Sequence, residues 1–383
     1  MAVTKVPNGT LDAVAELAPI IVTRAEEIEE GRRLPPDLVD ALTDAGCFRA
    51  LVPRSHGGAE LDLPAQMRVI EELSQADGSV GWTVMIGGIA PVVLGKLPRS
   101  TFDAFYAAGP DVIVGGAFNP TGTATPVDGG FRANGGWSFA SGCDHCHWFL
   151  AHCVVDVGRE PPVRMMVLPR DEVEIKDTWS VSGMRGTGSH DFVVADAFVP
   201  DERTFSLFGE PSLDLPLLRI PELSLSTLEI ATVAVGIAHG ALHEITSLAA
   251  GKVPAFSDSM ATLAANPLFQ NQLGDADAHL RAARTLLYAE ADEAWSMATA
   301  GRLFSPHDRA RIRGTVAWVT RTAASVVDMA YGAGGGSSIY SSNPLQRRFR
   351  DIHTLTQHFA VKPDTFTKVG ALLADQEVDL TFL

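Results

Sequence analysis

The chain has 383 residues, 46% of them hydrophobic, with 46 acidic side chains against 30 basic ones and a formal charge of -16. That length and apolar content suit two or three packed layers and exclude both a disordered chain and a disulfide-stapled miniature. An acidic balance without any basic run argues against a nucleic-acid backbone or an anionic membrane surface as partner.

The opening stretch MAVTKVPNGTLDAVAELAP shows no basic segment followed by an apolar core and a small-residue cleavage site, so a cytoplasmic location is expected. From about Leu11 to Ala108 the pattern is helical. LDAVAELAPIIVTRAEEIEEG ends at Gly31, and LPPDLVDALTDAG starts with prolines suited to a first helical turn and ends at Gly46. Pro64 to Ala76 carries Met67, Ile70 and Leu73 on one face, and the run around Trp82 is apolar on nearly all sides. The charge-free stretch Ser79 to Gly95 is broken by Gly81, Gly87, Gly88 and Pro91 and falls short of a bilayer crossing, so a buried helix is expected and no membrane span.

Between Asp111 and Phe205 the pattern changes to short β-rich runs, VIVGGAF, GGFRANGGWSFASG, WFLAHCVV, VRMMVLP, VEIKDTW and DFVVADAFVP. Asp128-Gly129-Gly130 and Asn134-Gly135-Gly136 read as turns between them. After Pro221 long Ala/Leu-rich helices return, over Glu222 to Gly251, Phe269 to Gly301, Pro306 to Gly332 and Asp364 to Asp379, and suit a four-helix bundle. These changes divide the chain into an N-terminal α-helical domain (1–110), a middle β domain (111–206) and a C-terminal helical bundle (207–383).

Three of the four cysteines fall in CDHCHWFLAHC, where Cys143, Cys146 and His147 have the spacing of a c-type haem attachment and His145 and His152 add the look of a zinc site. The segment lies mid-chain, follows a strand-like run and has no second CxxC. An ordinary strand and turn is expected there, with no metal; an electron-carrying haem protein is the rival reading.

The order of helices, β domain and bundle resembles the acyl-CoA dehydrogenase superfamily over essentially the whole chain. The matching stretches are LVPRSHGGAELDLPAQMRVIEELSQADGSVGW, GGFRANGGWSFASG, DTWSVSGMRGTGSHDFVVADAFVP and AYGAGGGSSIYSSNPLQRRFRDIHTLTQH. The resemblance implies an α+β multidomain fold, with a helical N-terminal domain, a β-barrel-like middle domain and a C-terminal four-helix bundle. It also implies a flavin site. A flavin is a large flat ring with a polar edge, which calls for small hydroxyls, close backbone and apolar walls. Ser141, Thr187, Ser189, Gly334 and Gly335 are suitable polar and small residues, Trp137, Phe139 and Trp179 suitable walls, and Asn119 a further polar contact.

A dehydrogenase of this family commonly places a glutamate shortly after the Arg-Asp helix start to remove a proton from the substrate. Here Arg350-Asp351 is followed by IHTLTQHFAVKPDTF, which contains no glutamate. The segment instead resembles two-component flavin monooxygenases of the same fold. Those take reduced flavin from a separate reductase, form a flavin C4a-hydroperoxide with dioxygen, and hydroxylate an aromatic substrate. By that resemblance Ser141 meets the flavin ring, His358 acts as the base on a phenol, His353 one helical turn away is the competing base, and Trp82 lines the substrate pocket. Cations for a flavin phosphate are sparse: Lys252 stands near the expected place, with Arg281, Arg284, Arg347 and Arg348 as alternatives. This suits transiently bound reduced FMN better than tightly held FAD. The expected activity is oxygen transfer from dioxygen to a phenolic or polycyclic aromatic compound, in a homotetramer served by a flavin reductase. Rivals within the fold are an oxygenase acting on nitrogen or sulfur and an FAD-holding acyl-CoA dehydrogenase with its base elsewhere.

Overall fold

The computed structural model describes residues 9–155, 162–207, 209–253 and 261–380. The helices that open the chain are α1 (Gly9–Thr23), α2 (Ala25–Gly31), α3 (Pro36–Asp44), α4 (Leu63–Ala76), α5 (Gly78–Gly88), α6 (Ala90–Leu94) and α7 (Arg99–Phe105). Seven strands follow, β1 (Val114–Val127), β2 (Gly130–Ala140), β3 (Trp148–Val155), β4 (Val163–Pro169), β5 (Glu174–Lys176), β6 (His190–Pro200) and β7 (Thr204–Phe205). The chain closes with α8 (Pro216–Arg219), α9 (Glu222–Gly251), α10 (Pro267–Thr299), α11 (Pro306–Gly334), α12 (Pro344–Leu355) and α13 (Thr365–Leu373). Two compact units result: Met1–Val69 with Trp82–Ser180 and Arg185–Leu218, and Ile70–Gly81 with Val181–Met184 and Arg219–Leu383.

In the first unit the strands form one sheet in the order β5-β6-β2-β1-β3-β4-β7. β1 and β3 run parallel and every other pair is antiparallel. The predicted turn at Asp128-Gly129 joins β1 to β2, with Gly129 at φ 75. The predicted turn at Asn134-Gly135-Gly136 is instead the interior of β2, where pairing with β6 shifts register between Ala133 and Gly135. Trp137 explains the glycines. A Cβ on Gly122 would sit 2.0 Å from its ring, and one on Gly135 would meet the same ring at 3.0 Å. The bulge therefore makes room for a core indole rather than reversing the chain.

The second unit is built on α9, whose apolar surface is long enough to cross a membrane but is buried against α10, α11 and α12. Lys252, just past the end of α9, donates to the carbonyl of Gly334 at the end of α11, and Arg219 before α9 donates to the carbonyl of Ala298 at the end of α10. These ties fix α9 and α11 as parallel helices with α10 antiparallel to both. The fourth long helix predicted over Asp364 to Asp379 is only α13, nine residues from Thr365 to Leu373. Its place in the bundle is taken by α12, which packs on α9 and α11. The sequence of α12, PLQRRFRDIHTL, is too polar to announce a core helix, because its inward face is Leu345, Arg348, Asp351, Ile352 and Leu355.

Among the described residues, every buried acid of this unit but one has at least one hydrogen-bond or ion-pair partner. Glu71 accepts from Arg284 at 2.7 Å, Tyr288 at 2.6 Å and His239 at 3.0 Å, and these partners overcome burial to hold its carboxyl down at about 2. Glu229 on α9 is 0% exposed and neither carboxyl oxygen has a hydrogen-bond partner among the described residues. Desolvation pushes it up to about 8, so it is protonated at neutral pH. Unfolded, the group ionises near 4.5; folding therefore becomes less favourable as pH rises from that value to about 8. Glu229→Gln is expected to remove this part of the slope, read as a flatter dependence of the denaturation midpoint on pH than in the parent protein.

Candidate active site

In the first unit the end of β2 and the segment before β6 come together. Phe139 adopts φ 70, an unusual conformation for an aromatic residue, and stands 65% exposed. Its ring meets Trp179 edge-on at 6.2 Å. Trp179 is held by its surroundings: His190 Nδ1 accepts the backbone N–H groups of Thr178 at 3.2 Å and Trp179 at 3.1 Å, and Arg32 donates to the Trp179 carbonyl at 3.3 Å while paired with Asp177. Three residues past Phe139 the chain is stitched to the next segment, as Gly142 N–H donates to the Thr187 carbonyl at 2.7 Å.

That stitch aligns three hydroxyls. Ser141 Oγ lies 2.7 Å from Ser189 Oγ, which lies 2.7 Å from Thr187 Oγ1, and Trp82 Nε1–H donates to Ser141 Oγ at 3.0 Å. All four side chains are buried or nearly so. An indole N–H can only donate, so it occupies one lone pair of Ser141; the Ser141 proton then points to Ser189 or, with the row of hydroxyls reversed, toward a ligand. An exposed phenyl ring against a half-buried indole, beside a buried, switchable hydroxyl, fits a flat ring with a polar edge. The residue types present thus fit a flavin: Ser141, Ser189 and Thr187 would hold its polar edge, and Phe139 and Trp179 would cover its flat surface.

Other sequence-selected residues stand apart from this group. Trp137 is 1% exposed, stacked on Phe192 at 5.0 Å and donating to the His152 carbonyl at 2.8 Å, so its ring supports the sheet. Asn119 is exposed in the bulge of β1 between Ala117 and Gly122. The haem-like cysteines are buried donors. Cys143 Sγ donates to the Gly188 carbonyl at 3.2 Å and Cys146 Sγ to that of Gly142 at 3.3 Å. Burial pushes the Cys143 thiol up to about 12. His147 Nδ1 accepts the Ile113 N–H at 3.2 Å.

The remaining candidates belong to the second unit. Gly334 ends α11 and Gly335 follows at φ 52; a Cβ on Gly334 would lie 2.0 Å from Ser338 Oγ, and Lys252 Nζ binds Ser337 Oγ at 2.8 Å as well as the Gly334 carbonyl. The arginines considered for phosphate have partners inside the protein. Arg281 pairs with Asp277 and Arg284 with Glu71, while Arg347 lies 3.7 Å from Asp77 and Arg348 is fully engaged with Glu244 and the end of α4. His353 is half-exposed, 2.7 Å from Asp328 and tilted against Phe349.

His358 caps the 3-10 turn Phe359–Val361, its Nδ1 accepting the Ala360 N–H at 3.3 Å. Burial first and Arg313 second push it down to about 4, so the ring is neutral and its proton sits on Nε2. Arg313 in turn donates to the Ala360 carbonyl. Asp351, on α12, is no substitute for the missing glutamate: it is buried and accepts the Met184 N–H at 2.6 Å. Sequence reading passed over His190, Arg313 and Glu229, for which only isolated residue types, without a motif, were on offer.

Comparison with known proteins places this arrangement. The acyl-CoA dehydrogenase N-terminal domain matches residues 11–95 and the acyl-CoA dehydrogenase C-terminal domain residues 228–363. The indole-3-acetate monooxygenase of Pseudomonas putida is 35% identical, over 95% of this chain and 92% of that protein. The flavin-dependent monooxygenase oxygenase subunit HsaA of Mycobacterium tuberculosis is 30% identical over 93% of each. The crystal structure of 3-HSA hydroxylase from Rhodococcus sp. RHA1 matches with a TM-score of 0.92 at 28% identity, covering 98% of this chain and 100% of that one. With its flavin-compatible hydroxyl row and no glutamate in the segment IHTLTQHFAVKPDTF that follows Arg350-Asp351, the chain belongs to the oxygenase components of flavin-dependent monooxygenases built on the acyl-CoA dehydrogenase fold.

Proposed function

We propose that this oxygenase hydroxylates a phenolic or polycyclic aromatic compound, indole-type rings included, using reduced flavin delivered by a separate reductase. The observation that carries the reading is the Trp82–Ser141–Ser189–Thr187 row, which offers adjustable hydroxyls and no carboxylate. When bound, reduced flavin supplies the electrons that activate dioxygen. Ser141 then holds a proton beside the ring, Trp82 fixes which lone pair of Ser141 remains available, and Phe139 and Trp179 cover the flat surface. FMN is the proposed form, because Lys252, Arg281, Arg284 and Arg348 have intramolecular partners and offer little grip for a longer diphosphate. A homotetramer in the cytoplasm completes the proposal, and light scattering on a sizing column tests the assembly.

His358 is proposed to meet the substrate oxygen. With Nδ1 engaged by Ala360 and the proton on Nε2, the imidazole favours phenolate by donating to the oxygen, a change from the proton acceptor that the sequence suggested. His353 is left as a surface partner of Asp328.

Ser141→Ala is expected to raise the hydrogen peroxide released per reduced flavin at the expense of product. The bond removed, to a group bearing partial charge, is worth on the order of 1–3 kcal/mol. Peroxide and product are measured in one assay with reduced FMN and, separately, reduced FAD. An unchanged ratio would remove Ser141 from the site, and a better yield with FAD would overturn the preference for FMN.

A further inference from the structure

Among the described residues of the second unit five acids are buried, and four of them have partners. Glu71 has its three donors, Glu290 pairs with Arg311 at 2.7 Å, Asp351 accepts from Met184, and Asp77 accepts the N–H groups of Ser79 and Val80. Glu229 has none among the described residues, and no charged neighbour enters its environment. Its neighbours on α9 solve the same problem locally: Thr227 donates to the Ser224 carbonyl at 3.1 Å and Thr232 to that of Leu228 at 2.9 Å. A buried carboxyl with neither oxygen satisfied costs several kcal/mol relative to an apolar side chain of the same size. Such a group calls for a partner outside the folded chain.

Its position points to one. α9 and α11 run parallel with their far ends joined through Lys252 and Gly334. Glu229 lies seven residues into α9 and Arg313 seven into α11, counted from Glu222 and Pro306. Arg313 holds the carbonyl of Ala360, and the turn containing Ala360 packs against both helices. Glu229 therefore sits at the level of the bundle where the His358 turn is anchored. Gly236 and Gly240 continue its stripe toward the other end of α9, where they admit the end of α4 and Arg348.

We propose that Glu229 is a specificity-determining residue, whose buried and otherwise unpartnered carboxyl group hydrogen-bonds an oxygen substituent, phenolic or carboxylate, on the aromatic substrate. This rests on the aromatic-oxygenase reading and adds the substrate group that is recognised. An uncharged donor suits an oxygen bearing full or partial negative charge, and the surrounding apolar α9 face suits the ring that carries it.

The test measures binding to the protein without flavin, by calorimetry, using indole-3-acetate and resorcinol as oxygen-bearing probes and indole as the probe that lacks oxygen. The parent protein is expected to bind at least one oxygen-bearing probe tenfold or more tightly than indole. Glu229→Met should abolish that preference, whereas Glu229→Gln, whose amide still donates, should keep it within about threefold. With no ligand, the thermal midpoint of Glu229→Met should hold or rise, since a desolvated carboxyl is removed. No preference in the parent protein, a preference retained in Glu229→Met, or a sharp fall of its midpoint would each overturn the proposal. Because no flavin turns over in this measurement, its failure is separate from failure of the oxygenase reading, which is read from product formation.

Discussion

Replacing His358 with alanine is expected to cut hydroxylated product by roughly a hundredfold while flavin oxidation continues and its electrons leave as hydrogen peroxide. The expectation follows from where the residue stands: its Nδ1 is fixed by the Ala360 N–H, its ring is neutral and its proton sits on Nε2. A donor aimed at a phenol oxygen lowers the cost of the phenolate form, the phenol proton passing to solvent, and so raises electron density on the ring carbon that receives oxygen. Losing one preorganised donor to a developing oxyanion costs roughly 100-fold to 1,000-fold in rate. Loss on that scale lets peroxide release overtake transfer. Raising the pH should restore part of the yield in His358→Ala with a phenolic substrate, since solvent base then produces the phenolate. The check is product and peroxide per flavin oxidised, for His358→Ala and His353→Ala in parallel. Uncoupling in His353→Ala alone would move the role by one helical turn. Full coupling in both would favour oxygen transfer to nitrogen or sulfur, where no phenolate is needed.

Arg348→Ala is expected to lose about 3–5 kcal/mol of stability, the range seen when one partner of a buried ion pair is removed. The guanidinium donates to the carbonyls of Ser74 at 3.1 Å, Gln75 at 2.6 Å and Ala76 at 3.0 Å, and to Glu244 at 3.1 Å. The first three are the last carbonyls of α4, which no helical N–H can reach. Arg348→Lys should recover little, because one ammonium cannot span three carbonyls and a carboxylate in a planar fork. Gly240 belongs to the same device: a Cβ there would lie 2.6 Å from the guanidinium carbon. Denaturant titration of Arg348→Ala, Arg348→Lys and Gly240→Ala tests this, and a loss under 1 kcal/mol in Arg348→Ala would show that α4 ends stably without it.

These two residues mark the limit of what the sequence disclosed. The run from Glu222 to Gly251 was readable as a helix because thirty residues of unbroken apolar pattern leave little alternative. Ser141, Thr187 and Ser189 were legible as a set because motif resemblance ties them together across the chain, and the structure brings them within hydrogen-bond reach. Trp137 was selected by the same reasoning yet lies beneath the sheet, since residue type does not say which face of a bulged strand an indole takes. Arg348 was considered for phosphate because an arginine near a Gly-rich loop looks available. Its capture by the end of α4 depends on a tertiary contact with carbonyls more than 270 positions away, which no local pattern encodes. Glu229 is the opposite case: nothing in LEIATVAVG marks its glutamate as dry until the helices on all sides are in place.

The most direct test of the account is a single turnover of the purified protein with reduced FMN, isotopically labelled dioxygen and an aromatic substrate, with no reductase present. The expected result is a hydroxylated product carrying one labelled oxygen atom, with peroxide as the minor outlet. Return of all the flavin's electrons as peroxide with unlabelled substrate across phenolic and indole-type compounds, while an acyl-CoA is oxidised in the presence of FAD, would contradict it.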